Sequence, residues 1–107
     1  MKVENMKSPR TGKAIANQFV IDTGKERYFQ SYSTIICKYG ISSHSVTIDD
    51  GGSYYPEENN GSKEFSATTV KYLVRFLKEH TAWNISNKAQ ISALLADGTF
   101  KYADLNA

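Results

Sequence analysis

Three side chains of this sequence are of types that could carry out catalysis: Cys37, His44 and His80. A thiol or an imidazole acts as a nucleophile or a general base only when a second group activates or orients it. Cys37 follows two isoleucines, which is typical of a buried and inert thiol. His44 lies in a serine-rich turn and His80 near a predicted helix end, and no known catalytic motif includes either of them. The sequence therefore predicts a protein that is not an enzyme and has no cofactor.

Acidic side chains are concentrated in the middle of the chain. Residues 39–66 carry five acidic residues and one lysine, whereas residues 1–38 carry seven basic and three acidic residues. Residues 49–63 have no hydrophobic periodicity and are predicted to form one long acidic loop. Its carboxylates could imitate nucleic-acid phosphates and enter a basic channel, with tyrosines as anchors. The candidate partner-binding residues are Asp49, Asp50, Tyr54, Tyr55, Glu57 and Glu58.

This acidic loop has two other interpretations. An ordinary solvated loop has the same composition. Binding of a divalent cation is not expected, because the spacing lacks the alternating ligands and the closing glutamate of an EF-hand. The sequence therefore predicts no metal site.

Basic side chains repeat along the predicted helix 66–79, opposite its apolar face of Val70, Leu73, Val74 and Leu77. Together with the basic N-terminal segment, these cations could contact the phosphates of a nucleic acid, and tyrosines could stack on bases. A solvated helix face has the same pattern, so that interpretation stays open. The candidate nucleic-acid-binding residues are Arg10, Lys13, Tyr32, Lys71, Tyr72, Arg75 and Lys78.

These candidates need a scaffold, and the hydrophobic patterns predict an α+β domain. Strands are expected at residues 16–22, 26–32, 34–39, 44–49 and 99–105, and helices at residues 66–79 and 86–96. Asp22-Thr23-Gly24-Lys25 is a predicted hairpin turn. We expect an antiparallel sheet of four or five strands with both helices packed on one face. Residues 1–13 are expected to be a partly mobile arm that ends in a turn.

Length and composition place limits on the class of protein. The 107 residues suffice for one domain, residues 1–107, with a modest core. The net charge of +2 is too small to indicate nucleic-acid binding by itself. A single cysteine is typical of a reducing compartment, and the sequence contains no secretion signal or stretch of membrane-spanning length. We expect a cytoplasmic protein.

Several short motifs resemble one family. They are Pro9-Arg10-Thr11-Gly12, Asn17-Gln18-Phe19, residues 29–34, Ser66-Ala67-Thr68-Thr69 with Lys71-Tyr72 and Phe76-Leu77, and the ending Asp97-Gly98-Thr99 through Leu105-Asn106. As a set, they resemble a family of short proteins from phages and mobile elements of Gram-positive bacteria, a domain of unknown function. The acidic loop looks longer than is expected of that family.

The resemblance implies a biological setting, because small phage proteins often bind and block host machinery. The expected function is therefore that of a non-enzymatic inhibitor of a host defence nuclease, such as a CRISPR effector, in the host cytoplasm. The alternative is a small nucleic-acid-binding accessory protein that uses the basic helix face.

Overall fold

The computed structural model describes residues 1–50 and 67–106, and these residues form a mixed α+β fold. The strands are β1 (Lys2–Lys7), β2 (Ala14–Asp22), β3 (Glu26–Ser31), β4 (Thr34–Gly40), β5 (Val46–Asp49) and β6 (Lys101–Ala103), and the helices are α1 (Ala67–Glu79) and α2 (Lys88–Ala96). The α+β class is confirmed. The expected number of four or five strands is wrong, because the described residues form six.

All six strands belong to one sheet, in which their spatial order is their order along the chain. β1 to β5 pair antiparallel with their neighbours, whereas β6 lies parallel to β5. A parallel pair needs a long crossover between its strands, and the segment that contains both helices provides it. The expectation of an antiparallel sheet is therefore correct for the first five strands and wrong for the last.

Strand β1 accounts for the sixth strand. Its sequence has only two apolar residues, Val3 and Met6, and was expected to be part of the N-terminal arm. The strand pairs with β2 from Lys2, opposite Asp22, to Asn5, opposite Phe19. Met6 is buried in the core. Pairing with a long neighbouring strand therefore determines the structure here, and a weak local pattern does not reveal it.

The core lies between one face of the sheet and the two helices. The side chains of Val20, Phe29, Cys37 and Ile48 are opposite one another on successive strands and are all buried. Phe76 of α1 stacks on Phe29 with 5.9 Å between ring centroids. Residues of both helices line a cavity of about 60 Å³ with Ile48, namely Val70, Leu73, Lys88, Ile91, Ser92 and Leu95.

Helix boundaries follow the local capping chemistry. Asn87 caps α2, since its side-chain oxygen accepts a hydrogen bond from the Gln90 amide at 3.0 Å. The helix ends before Gly98, which has a φ of 85°. α1 begins at Ala67, so Ser66, the first residue of the predicted helix, lies outside the described residues. None of the described helices has the length and apolar character that crossing a membrane requires.

Candidate functional site

A groove lies between the turn of residues 8–13 and the first half of α1. Its volume is about 220 Å³. The residues that line it are Ser8, Pro9, Arg10, Ile15, Lys71, Tyr72 and Arg75. We call it the basic groove. It brings together four of the seven candidate nucleic-acid-binding residues, although Arg10 is far from the other three in sequence.

Internal hydrogen bonds hold the turn that carries Arg10. The Ser8 amide donates to the Lys13 carbonyl at 2.8 Å, and the Gly12 amide donates to the Ser8 carbonyl at 2.9 Å. Gly12 has a φ of 71°, a conformation that glycine adopts without strain. The turn is therefore ordered by its own backbone, and the Arg10 side chain is exposed in a defined place.

Arg75 connects α1 to the end of β1. Its Nη2 donates to the Lys7 carbonyl at 2.6 Å, and its Nε donates to Glu79 Oε2 at 3.2 Å. Only 17% of its side chain is exposed. Nη1 makes no hydrogen bond to any residue that the structure describes. Nη2 also donates to Glu79 Oε1 at 3.5 Å, so Nε and Nη2 face both oxygens of that carboxylate. Arg75 is thus held in position where it lines the groove.

Tyr72 lies beside two cations. The Lys71 Nζ is 5.4 Å from the centroid of its ring, and the Arg75 Cζ is 5.9 Å from it. A cation near an aromatic face is attracted to the ring electrons. The ring thereby keeps two positive groups close together despite their mutual repulsion. Tyr72 therefore suits a role in holding cations better than a role as a stacking platform for a base.

The other three candidates of this set lie outside the lining of the groove. Lys13 belongs to the same turn as Arg10 and is exposed. Lys78 is exposed further along α1. Tyr32 is 65% exposed in the turn between β3 and β4, where its amide donates to the Asn17 carbonyl at 2.7 Å. Tyr32 remains available for contact with a ligand, but at a place of its own.

The residues that sequence reasoning missed are Ser8, Pro9 and Ile15, which form the wall of the groove opposite α1. Proline and glycine predicted a turn in this segment. They did not predict that the turn would lie against the helix, because that position depends on the pairing of β1 with β2.

The acidic candidates fall into two groups. Tyr54, Tyr55, Glu57 and Glu58 lie outside the described residues. Asp49 is completely buried, and its Oδ1 accepts hydrogen bonds from the Leu105 amide at 3.0 Å and from Asn106 Nδ2 at 3.1 Å. Asp49 therefore has a structural role and presents no exposed surface to a partner. Asp50 is half-buried beside it, and its amide donates to the Ala103 carbonyl at 2.9 Å.

Asn106 completes the arrangement around Asp49. Its side-chain Oδ1 accepts from the Ile35 amide at 2.8 Å, and its Nδ2 donates to the Ile35 carbonyl at 2.9 Å. This is the pair of hydrogen bonds that a neighbouring strand would make with Ile35. The Asn106 amide therefore extends the pairing of β4 beyond the end of β5.

Three carboxylates meet at this edge of the sheet. Oxygens of Asp49, Asp50 and Asp104 all lie within 4.8 Å of one another. Carboxylate oxygens are ligands that Mg²⁺ and Ca²⁺ accept. Asp104 was not a candidate from the sequence, because the parallel pairing that brings it to Asp49 was not predicted. Asp49 is already engaged by two neutral N–H donors, which explains its position without an ion.

The three possible catalytic side chains lie in different elements. Cys37 is fully buried in β4, and burial raises the pKa of its thiol.

His44 lies 2.7 Å from the hydroxyl of Tyr39, measured from its Nδ1. The Tyr39 hydroxyl accepts a hydrogen bond from the Ala82 amide at 3.0 Å, so its own proton is available to His44. His44 thus holds the β4–β5 turn against the segment after α1.

His80 stacks on Phe76 with 5.8 Å between ring centroids. Burial lowers the pKa of its imidazole, and the nearby Glu79 opposes this effect. It lines a polar cleft of about 270 Å³ with Lys2, Glu4, Val20, Asp22, Arg27 and Glu79. In this cleft Arg27 makes an ion pair with Asp22 at 3.1 Å and donates to the His80 carbonyl at 2.8 Å.

Comparisons with curated proteins and with solved structures found no significant match. A family model does match, over residues 1–93, and it describes a family of unknown function, DUF8033. The matched residues include all of β1 to β5, α1 and the lining of the basic groove. This chain therefore belongs to the family of unknown function DUF8033.

Proposed function

We propose that this protein is a non-enzymatic binding protein whose ligand is a nucleic acid, held by its phosphates in the basic groove. The observation that carries the proposal is the convergence of Arg10, Lys71 and Arg75 on one groove from two separate elements. Phosphate contacts dominate the affinity of most proteins for nucleic acids. The proposed function follows the second of the two expectations from the sequence.

The internal contacts of the groove support this choice. Arg75 is held by a carbonyl and a carboxylate, and Tyr72 keeps Lys71 near it. A side chain that is already ordered loses less conformational entropy when it binds a ligand. Contacts from these cations to phosphates would position the nucleic acid without reading its base sequence. We therefore expect binding with little sequence preference.

Fluorescence anisotropy tests the proposal directly. Labelled single- and double-stranded DNA and RNA are titrated with the protein at low and at physiological salt. We expect salt-sensitive binding, because each phosphate contact contributes about 0.9 to the slope of log K against log salt for duplex DNA and about 0.7 for single strands. Absence of binding at low salt would overturn the proposal.

Matched variants then locate the site. Arg10→Ala with Lys71→Ala removes two positive charges from the groove, and the salt slope should fall by about 1.4 to 1.8. Lys25→Ala with Lys101→Ala removes two exposed charges elsewhere and is the control for net charge. Equal losses for the two pairs would assign the binding to overall charge and reject the groove as the site.

A host defence nuclease remains the second candidate target, with the protein acting as an inhibitor encoded by a phage or mobile element in the bacterial cytoplasm. The observation that favours it is the pair of accessible carboxylates of Asp50 and Asp104, which lie close together beside the buried Asp49. In the sequence, Glu57 and Glu58 follow Asp50 within eight residues and add two further negative charges. An acidic surface of this kind would compete with nucleic acid for a basic channel.

The two candidate functions predict opposite effects of removing acidic and basic charges. An inhibitor that acts through its acidic residues loses potency when Asp50, Glu57 and Glu58 are changed to Asn, Gln and Gln, and it keeps potency when Arg10 and Lys71 are changed to Ala. A nucleic-acid-binding protein shows the reverse. Asp49 is left unchanged in this test because its side chain is structural. Inhibition of nuclease activity and anisotropy are the two measurements.

A further inference from the structure

β1 is an edge strand whose outer side has no partner strand among residues 1–50 and 67–106. An edge strand presents unpaired backbone N–H and C=O groups, which readily pair with another strand. The register with β2 is regular from Lys2 to Asn5 and shifts only after Asn5. At the far end, the Arg75 side chain of α1 donates to the Lys7 carbonyl. The open part of the edge is therefore residues 2–5.

The exposed side chains of this segment have a symmetric pattern. Glu4 lies opposite Val20, so Lys2 and Glu4 are on the helix side of the sheet and Val3 is on the other side. Val3 is 55% exposed. A lysine and a glutamate thus flank one exposed apolar residue at equal distances.

We propose that two copies of this chain associate through β1, with a two-fold axis at Val3 that joins their sheets edge to edge. In an antiparallel pair of strands, two residues that lie opposite each other have their N–H and C=O groups either both pointing toward the other strand or both pointing away from it. When the two strands are identical, the two-fold axis must therefore lie at a residue that is opposite its own copy. It cannot lie midway between two residues. Only a few registers are then available to residues 2–5.

Charge selects one of these registers. An axis at Lys2 or at Glu4 places that residue opposite its own copy, and like charges directly opposite each other are destabilising. An axis at Asn5 would need Lys7, whose carbonyl Arg75 already binds. The axis at Val3 places Lys2 opposite Glu4 of the other copy twice and places the two exposed valines together. Lys2 Nζ and Glu4 Oε2 are 3.9 Å apart within one chain, and in this register each of them also lies opposite the unlike charge of the other copy. No like charges are opposed.

The size of this contact sets its strength. Stable interfaces bury about 800 Å² on each partner, and a pairing of four residues is smaller. We therefore expect a weak association that depends on protein concentration. The proposal is independent of what the basic groove binds.

Cysteine cross-linking tests the axis. Cys37 is fully buried with a raised pKa, so a cysteine introduced at the surface is the reactive thiol. Val3→Cys places two thiols directly opposite each other, where strand neighbours are about 5 Å apart. We expect a disulfide-linked dimer under mild oxidation. Asn5→Cys is the control, because the same axis separates its two copies by about 13 Å along the strands, too far for a disulfide.

The second test exchanges the charges of residues 2 and 4 and measures association by sedimentation at increasing protein concentration. These variants carry no introduced cysteine. Glu4→Lys should weaken association severalfold, and combining it with Lys2→Glu should restore it. A wild-type protein that stays monomeric at every concentration would overturn the proposal. So would equal cross-linking of Val3→Cys and Asn5→Cys, which indicates random collision, or stronger cross-linking of Asn5→Cys, which indicates another register.

Discussion

Cations gather in the basic groove beside the turn between β1 and β2, whereas the carboxylates of Asp49, Asp50 and Asp104 gather beside β6. Lys71 and Arg10 are exposed, and Arg75 binds protein atoms through only part of its guanidinium. Asp49 is fully buried and accepts hydrogen bonds from two residues near the C-terminus. Charged residues that were all candidates for binding from the sequence therefore have different roles: the exposed cations are free to contact a ligand, whereas Asp49 stabilises the fold.

Burial and partners explain the difference. A buried carboxylate must be compensated by donors, because transfer out of water costs several kcal/mol (on the order of 2–7) for a polar group without a partner. Asp49 meets this requirement with N–H groups and thereby fixes residues 105 and 106. Arg10 and Lys71 are exposed to water, so they have no such requirement and can bind a ligand. The contrast predicts that substitutions at the β6 edge lower stability and that those at the groove mainly lower binding.

Asp49→Ala should have the largest effect on stability. It leaves the Leu105 amide without its acceptor and removes one of the two acceptors of Asn106 Nδ2, which keeps the Ile35 carbonyl. A buried donor without a partner costs about 1–3 kcal/mol. We expect a loss of about 3 kcal/mol in the free energy of unfolding, measured with a chemical denaturant. Lys101→Ala, an exposed change on the adjacent strand, is the control and should stay within about 0.5 kcal/mol of wild type.

Asn106→Ala should have the next largest effect, since it removes both hydrogen bonds to the backbone of Ile35. The expected loss is about 1–2 kcal/mol. Hydrogen exchange at the Ile35 amide gives a local measurement, and this amide should lose protection in the variant. Unchanged protection would show that the strand-like pairing of Asn106 is not maintained in solution.

Arg75→Ala and Lys71→Ala separate structure from binding within the groove. Arg75→Ala removes the bond to the Lys7 carbonyl, so it should lower the free energy of unfolding by about 1 kcal/mol and also weaken nucleic-acid binding. Lys71→Ala should weaken binding to a similar degree without a measurable loss of stability. Denaturation and anisotropy on the same samples provide the two readouts. A stability loss for Lys71→Ala equal to that for Arg75→Ala would contradict the distinction.

His80 should contribute the smallest effect, through the pH dependence of stability. Burial lowers the pKa of His80 in the folded state, so the unfolded chain binds more protons as the pH falls below about 6.5. Stability should therefore decrease as the pH falls from about 7 through this range, until the folded-state imidazole is also protonated. His80→Gln should flatten this part of the profile, measured by denaturation at several pH values. A profile identical to that of wild type would contradict the assignment.

Strong local signals made much of the fold predictable. β2 to β5 were expected from β-branched and alternating residues, and the β2–β3 turn from Gly24, whose φ is 90°. The apolar face of α1 predicted the contact that Leu73 and Leu77 make with the core. These features depend on neighbours in sequence, which is why a pattern reveals them.

The features that sequence reasoning missed depend on distant residues. β1 is a strand because β2 is long enough to pair with it, and β6 is parallel because the crossover returns the chain to β5. The candidate site shows the same limit. Lys71 and Arg75 were predicted from helical spacing, but their meeting with Arg10 depends on β1. The burial of Asp49 likewise depends on residues 105 and 106.

The parallel pairing of β5 with β6 also has a consequence for the order in which the chain folds. β1 to β5 pair only with sequence neighbours, so each hairpin closes a short loop. The β5–β6 pair brings Thr47 beside Lys101 and must close a loop that contains both helices. Loop-closure entropy delays such contacts. During synthesis the five-stranded meander can therefore form first, and the C-terminal strand, with Asn106 and its bonds to Ile35, should dock last and exchange its amide protons soonest.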